Sequence, residues 1–264
     1  MDAKLRIAVV QMDIAFGAPR TNRDKVAQRI EQAMPHHPDV VVFPELWDTA
    51  YDLDRLEQLA DWEGEETKAF LSAVARDAGV AIVAGSIAEK RSDGIYNTSF
   101  VFSKKGDVIA TYRKAHLFRP MEEHRHFQAG DACAVYRIDD VPCATVICYD
   151  VRFPEWVRTA ALAGAQVLFV PAQWPHPRLN HWRQLLIARA IENQLYVVGC
   201  NRVGTAKGTS FCGHSMVVDP WGEIVCEALQ REEILIADVH LDRVAKARHA
   251  IPVFSDRRPD LYAR

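Results

Sequence analysis

The chain has 264 residues, room for one large domain or two small ones at ~100–200 residues each. Its 32 Lys and Arg against 35 Asp and Glu leave a net charge of −3, without the basic excess of a dedicated nucleic-acid binder. Hydrophobic residues at 49% and charged residues at 25% exclude global disorder, and no run reaches the ~18 uncharged apolar residues of a membrane helix.

In chain order, residues 5–11 read as a strand. Residues 21–34 read as a helix with Val26, Ala27, Ile30 and Ala33 on one face. Residues 39–43 form an apolar strand stopped by Pro44, 66–78 a helix ended by Gly79, and 80–87 another strand. Strands are predicted at 96–103 and 108–112 around Lys105-Gly106-Asp107, then at 135–138 and 144–148 around Asp139-Asp140. A helix over 154–163, a buried strand over 167–171 and a long helix over 179–193 follow. The remaining strands are expected at 195–200, 215–218, 223–227 and 233–239. The polar, Pro-containing stretch 251–264 is expected to run along a surface or a partner subunit.

Strand–helix alternation with hairpins implies an α/β fold, as a mixed sheet or as two sheets covered by helices. No linker, repeat or low-complexity tract interrupts the chain, so one domain over 1–264 is expected. The first apolar run, 7–10, is too short for a signal-peptide core. The six cysteines lack any C-x-x-C spacing and are expected as free thiols, which suits a cytoplasmic protein.

Catalytic groups of α/β proteins sit just past the carboxyl ends of strands. Glu45, Lys114 and Cys148 occupy such positions and together supply a base, a cation and a soft nucleophile. Each alone has a plainer explanation: a helix cap, a surface charge and a core thiol. Arg152 lies four residues after Cys148, where a turn could aim a bidentate guanidinium at a substrate carboxylate. His116, Glu122, Glu123, His124 and His126 could suggest a metal site, but a His-x-His turn more often faces solvent, and no metal is expected. Arg178, Arg183 and Arg189 could form a basic patch, but Glu192 beside them makes a solvated or subunit-facing helix the better expectation.

Longer words add to these positions. IAVVQ at 7–11, PELW at 44–47, YRKAHLF at 112–118 and ICYDVRFPEW at 147–156 resemble the nitrilase superfamily of carbon–nitrogen hydrolases. ARAIENQ at 188–194, GHSMVVDPWGE at 213–223 and IPVF…RRPDLY over 251–262 extend the resemblance along essentially the whole chain. The resemblance implies a four-layer α-β-β-α sandwich and a Glu–Lys–Cys triad at Glu45, Lys114 and Cys148. It implies a second glutamate at Glu123, with Glu122 as the neighbouring alternative, and an oxyanion site from Lys114 and the Tyr149 N–H. Tyr51, Phe118 and Trp174 are candidate pocket walls beside Arg152.

CYDVRFPE and the segment 114–131 are similar to the omega-amidase branch, which acts on 2-oxo acids bearing a terminal amide such as 2-oxoglutaramate. The expected activity is therefore hydrolysis of a small amide through a cysteine thioester, without a cofactor. An amidase for deaminated glutathione shares CYDxRFPE and the PVF…RRPDLY tail and is the alternative; a non-catalytic binding protein on the same fold is the second class. The only partners expected are a small-molecule amide and a second copy of the chain. Neither nucleic acid nor membrane is expected. The helices starting at Pro154 and Leu179 are the expected homodimer contact, with Trp156 and Trp182 as its apolar anchors.

Overall fold

A computed structural model describes residues 4–262, and every structural statement below concerns those residues. Two sheets lie face to face. The first has eight strands, running Glu233–His240, Lys4–Gln11, Val40–Val42, Ala81–Val83, Gly94–Phe102, Ile87–Arg91 and Asp61–Trp62, with Val108–Arg113 also paired to Gly94–Phe102. The second has six, running Ile224–Glu227, Met216–Val218, Tyr196–Asn201, Val167–Ala172, Val141–Thr145 and Ala134–Ile138.

Strand side chains alternate between faces, and the sequence gives both faces apolar residues. Ile7, Val9, Val40 and Val42 meet Val167, Phe169, Val198 and Cys200 between the sheets. The intervening residues Ala8, Val10 and Val41 face outward onto Val26, Ile30, Leu71 and Ala75 of the helices Pro19–Ala33 and Glu65–Ala78. On the second sheet, Leu168, Val170 and Val197 face outward onto Val157, Ala160, Leu186 and Ala190 of the helices Pro154–Leu162 and Leu179–Asn193. Three stacked cores thus build the four-layer α-β-β-α sandwich.

Four local expectations need correction. The strand predicted over 80–87 is two, Ala81–Val83 and Ile87–Arg91. Gly85 between them takes φ +62°, and a Cβ there would lie 2.0 Å from the Pro44 carbonyl oxygen. The chain must therefore turn out of the sheet to pass beneath the 43–44 backbone. The strand predicted to close at Cys148 ends at Thr145, and Cys148 instead opens the 3₁₀ turn Cys148–Arg152. The helix Leu241–Ala250 was not anticipated, because only Val244 and Ala247 of it are buried and its polar face carries no clear periodicity. Trp182 cannot anchor an interface: it is fully buried, donates its indole N–H to the His214 carbonyl at 2.7 Å and packs against Gly199. The tail from Ile251 to Tyr262 is largely exposed, with a helical turn at Pro259–Tyr262; residues 263–264 of that predicted stretch fall outside the described residues.

Candidate active site

The site forms where both sheets end on the same side. Glu45 follows the strand Val40–Val42 in the first sheet, and Lys114 follows Val108–Arg113. Cys148 follows Val141–Thr145 in the second. Facing the sheets across a shared core is what brings residues so far apart in sequence together.

Glu45 and Lys114 are fully buried, with Lys114 Nζ 2.6 Å from Glu45 Oε1 and 2.7 Å from Glu123 Oε1. Two of the three ammonium donors are thus committed, and one remains for a developing oxyanion. Tyr51 Oη lies 2.5 Å from Glu123 Oε1 and 3.0 Å from Glu45 Oε1, bridging the two carboxylates. Tyr51 was expected only as a wall; it is a hydrogen-bonding member of the cluster as well. Glu123 accepts the Phe118 N–H on its other oxygen at 2.6 Å. Glu122 is exposed and paired with Arg125 at 2.7 Å, so Glu123 is the glutamate that meets the lysine.

Burial would push the Lys114 ammonium down, but the charges of Glu123 and Glu45 more than reverse this and hold it above its ordinary range. Burial pushes the Glu123 carboxyl up, only partly offset by Lys114. Burial and the Glu45 charge push the Cys148 thiol well above the ordinary thiol range. Both causes favour the thiol form of the resting nucleophile. Cys148 takes φ +46°, a conformation costly for any residue with a Cβ and one that recurs at exposed nucleophiles on strand-to-helix turns.

Cys148 lines a small pocket with Tyr51, Phe118, Tyr149, Arg152, Gln173, Trp174 and Arg178. The nine residues named from the sequence as site members or walls, Glu123 rather than Glu122 among them, sit in the buried cluster or the pocket. Tyr149 is the second residue of the 3₁₀ turn, where a backbone N–H has no helical acceptor, and its ring lies 4.9 Å from Phe118. Arg152 is half-buried with its guanidinium 4.6 Å from the Trp174 ring centroid.

Several supporting residues were missed. Asn97 donates to Glu45 Oε1 at 2.9 Å, and its carbonyl accepts the Lys114 N–H at 2.9 Å, so one strand residue sets both partners. Gln173 donates its backbone N–H to Glu45 Oε2 and its side-chain amide to the Glu45 carbonyl, at 2.9 and 2.8 Å. A buried Asn inside an apolar strand was the one signal available in the sequence. Asp150 is buried and accepts from Tyr112 Oη, the His116 N–H and the Ile147 N–H at 2.6, 2.9 and 2.9 Å, tying the lysine loop to the cysteine turn. The solvated or subunit-facing helix expected for Arg178, Arg183 and Arg189 is not one shared face: Arg189 is buried on the Val151 carbonyl, Arg183 pairs with Glu227, and Arg178 precedes the helix and enters the pocket. His124 and His126 are exposed, and among the described residues no three His, Cys, Asp or Glu side chains are grouped for a metal.

A family model described as carbon–nitrogen hydrolase matches residues 6–249, spanning every residue of this cluster. The chain belongs to the carbon–nitrogen hydrolase family. Similar relatives include a 2-oxoglutaramate amidase of Bacillus subtilis, 46% identical over 98% of this chain and 100% of the relative. A protein named nitrilase from Pyrococcus abyssi is 36% identical over 98% of this chain and 100% of its own. Among solved structures, a carbon–nitrogen hydrolase of Helicobacter pylori is superposable with a TM-score of 0.91 at 29% identity, covering 98% of this chain and 97% of its own. The carbon–nitrogen hydrolase sandwich is thus established for this chain, and no helix of the described residues is long and apolar enough to cross a membrane.

Proposed function

We propose that the chain, acting as one domain over 1–264, hydrolyses the terminal amide of a small 2-oxo acid, 2-oxoglutaramate or its four-carbon analogue, to the acid and ammonia. The observation that carries it is the buried Glu45–Lys114–Glu123 cluster set behind a cysteine in a small pocket whose wall bears Arg152. The similarity to a 2-oxoglutaramate amidase of Bacillus subtilis over the full length points to the same substrate.

An amide is a weak electrophile with a poor leaving group, so the chemistry divides into two acyl transfers. Cys148 Sγ attacks the amide carbon while Glu45 takes the thiol proton. The carbonyl oxygen becomes an oxyanion, held by the free donor of Lys114 and the Tyr149 N–H. Glu45 returns its proton to the nitrogen, the C–N bond breaks and ammonia leaves, giving a thioester on Cys148. Water then attacks the thioester carbon, giving its proton to Glu45, and the C–S bond breaks as the thiol is restored. Glu123 and Tyr51 hold the ammonium and the base in register without exchanging protons with substrate. No step draws on a metal or organic cofactor.

Arg152 holds the substrate carboxylate through its planar fork. Arg152→Lys replaces the fork with a point charge and is expected to lower kcat/KM on 2-oxoglutaramate by ~10–100-fold. Steady-state ammonia release measures this beside deaminated glutathione and a small nitrile. Wild-type enzyme should prefer 2-oxoglutaramate to both. A higher kcat/KM on deaminated glutathione defeats the assignment.

The active assembly is a cytoplasmic homodimer built on the helices Pro154–Leu162 and Leu179–Asn193. Leu162 and Ile191 on those helices are 47% and 50% exposed, which leaves apolar surface for a second copy now that Trp182 is buried. Light scattering at micromolar concentration should give twice the chain mass; a clean monomer rules the dimer out.

A further inference from the structure

We propose that Arg178 is a specificity-determining residue which, with Arg152, forms a two-guanidinium subsite selecting amides that carry a carboxylate remote from the scissile bond. The proposal rests on the assignment of this pocket to amide hydrolysis at Cys148. Both arginines line the same pocket as the nucleophile. Arg152 lies over the Trp174 ring and Arg178 over the Phe118 ring, with centroids 4.6 and 5.4 Å from the two guanidinium carbons.

Trp174 locates both. Its ring carries Arg152, and its indole N–H donates to the Arg178 carbonyl at 2.7 Å. Trp174 is itself held by Asn201, which accepts its backbone N–H at 2.7 Å, and by the Cys212 N–H on its carbonyl at 3.1 Å. Neither guanidinium is therefore placed by a flexible loop alone.

Charge makes the case. Burial pulls the Arg152 guanidinium below its ordinary range, and the Arg178 charge lowers it further, so the two cations feel each other. Among the described residues neither pairs with an Asp or Glu; Arg152 instead meets the Nδ1 of His181 at 3.3 Å. The neighbouring arginines differ, since Arg183 and Arg189 pair with Glu227 and Glu192 at 2.9 and 2.7 Å. Two adjacent, partly desolvated cations are costly without an anion between them. A substrate carboxylate supplies that anion, and it must arrive with its amide at Cys148 because the pocket is small.

The test compares kcat/KM of wild type, Arg178→Ala and Arg178→Lys on 2-oxoglutaramate, on glutaramate, which has the carboxylate without the ketone, and on neutral butyramide. The anionic-to-neutral preference should fall by ~10–100-fold in Arg178→Ala, chiefly through KM on the anionic amides, with partial recovery in Arg178→Lys. Calorimetry with glutarate reads the same subsite without turnover and should show weakening by the same factor. A preference within about twofold of wild type, or an equal loss on both amide classes, overturns the role of Arg178. If wild type hydrolyses glutaramate and not 2-oxoglutaramate, the substrate assignment fails while Arg178 is still judged on glutaramate. If wild type treats anionic and neutral amides alike, the subsite is overturned although hydrolysis stands.

Discussion

Cys148→Ala is expected to remove ammonia release by roughly 10⁴–10⁶-fold while the protein stays folded. The loss is large because the sulfur makes and breaks the bond in both half-reactions. The fold tolerates the change because the Cys148 backbone is held by its neighbours: Asp150 accepts the Ile147 N–H, and its own N–H donates to the Ile147 carbonyl, at 2.9 and 3.0 Å. A shift of at most a few degrees in Tm is expected for losing one buried sulfur, about 1 kcal/mol. Cys200→Ala and Cys212→Ala should retain turnover. Those thiols are buried, donate to the carbonyls of Val10 and Trp174 at 3.3 Å each, and are pushed up by the same burial that keeps them inert. Inactivation of a folded Cys200→Ala or Cys212→Ala protein places the nucleophile elsewhere.

Lys114→Met should abolish activity and also destabilise the fold by ~3–5 kcal/mol, the usual consequence of removing one member of a buried charge group. Glu45 and Glu123 would then face each other across Tyr51 without a cation. The Glu123 carboxyl, already raised by burial and by the Glu45 charge, would lose the opposing pull of Lys114 and be pushed up further. The sign follows from linkage. A carboxyl whose folded pKa is raised takes up protons on folding, so stability is present at acid pH and lost as pH rises through the window between the unfolded and folded values. Denaturant titrations should therefore show the Lys114→Met deficit shrinking as pH falls from 7 towards about 5. Glu123→Gln added to Lys114→Met should restore part of the stability and none of the turnover. An active Lys114→Met enzyme removes the ammonium from the oxyanion site, and a pH-independent deficit contradicts the buried-charge account.

How legible this molecule was depended on the range of the cause. Continuous apolar runs such as VVV at 40–42 are local signals, and they predicted strands whose two faces fill separate cores. Glu45, Lys114 and Cys148 each follow a strand and sit inside a contiguous word, so spacing and resemblance both pointed to them. Glu123 was ambiguous because its identity is set by the αL turn at Glu122, φ +59°, which swings one glutamate inward and leaves the other in water. Asn97 and Gln173 act on Glu45 across 52 and 128 residues, a separation no local pattern encodes. Gly85 broke a predicted strand for a reason lying at Pro44. Trp182 and Arg189 were assigned to a surface by residue type, whereas their helix turns them inward onto Gly199 and the Val151 carbonyl.

The central claim is a thioester on Cys148, formed from an amide whose carboxylate end rests against arginine. Acid quenching of wild-type enzyme during saturated turnover of 2-oxoglutaramate, followed by peptide mass spectrometry, tests it in one measurement. A mass gain equal to the substrate less ammonia, localised by fragmentation to Cys148, is the expected result. The same gain localised by fragmentation to Cys133, Cys143, Cys200, Cys212 or Cys226, or sustained turnover with every cysteine unmodified, contradicts it.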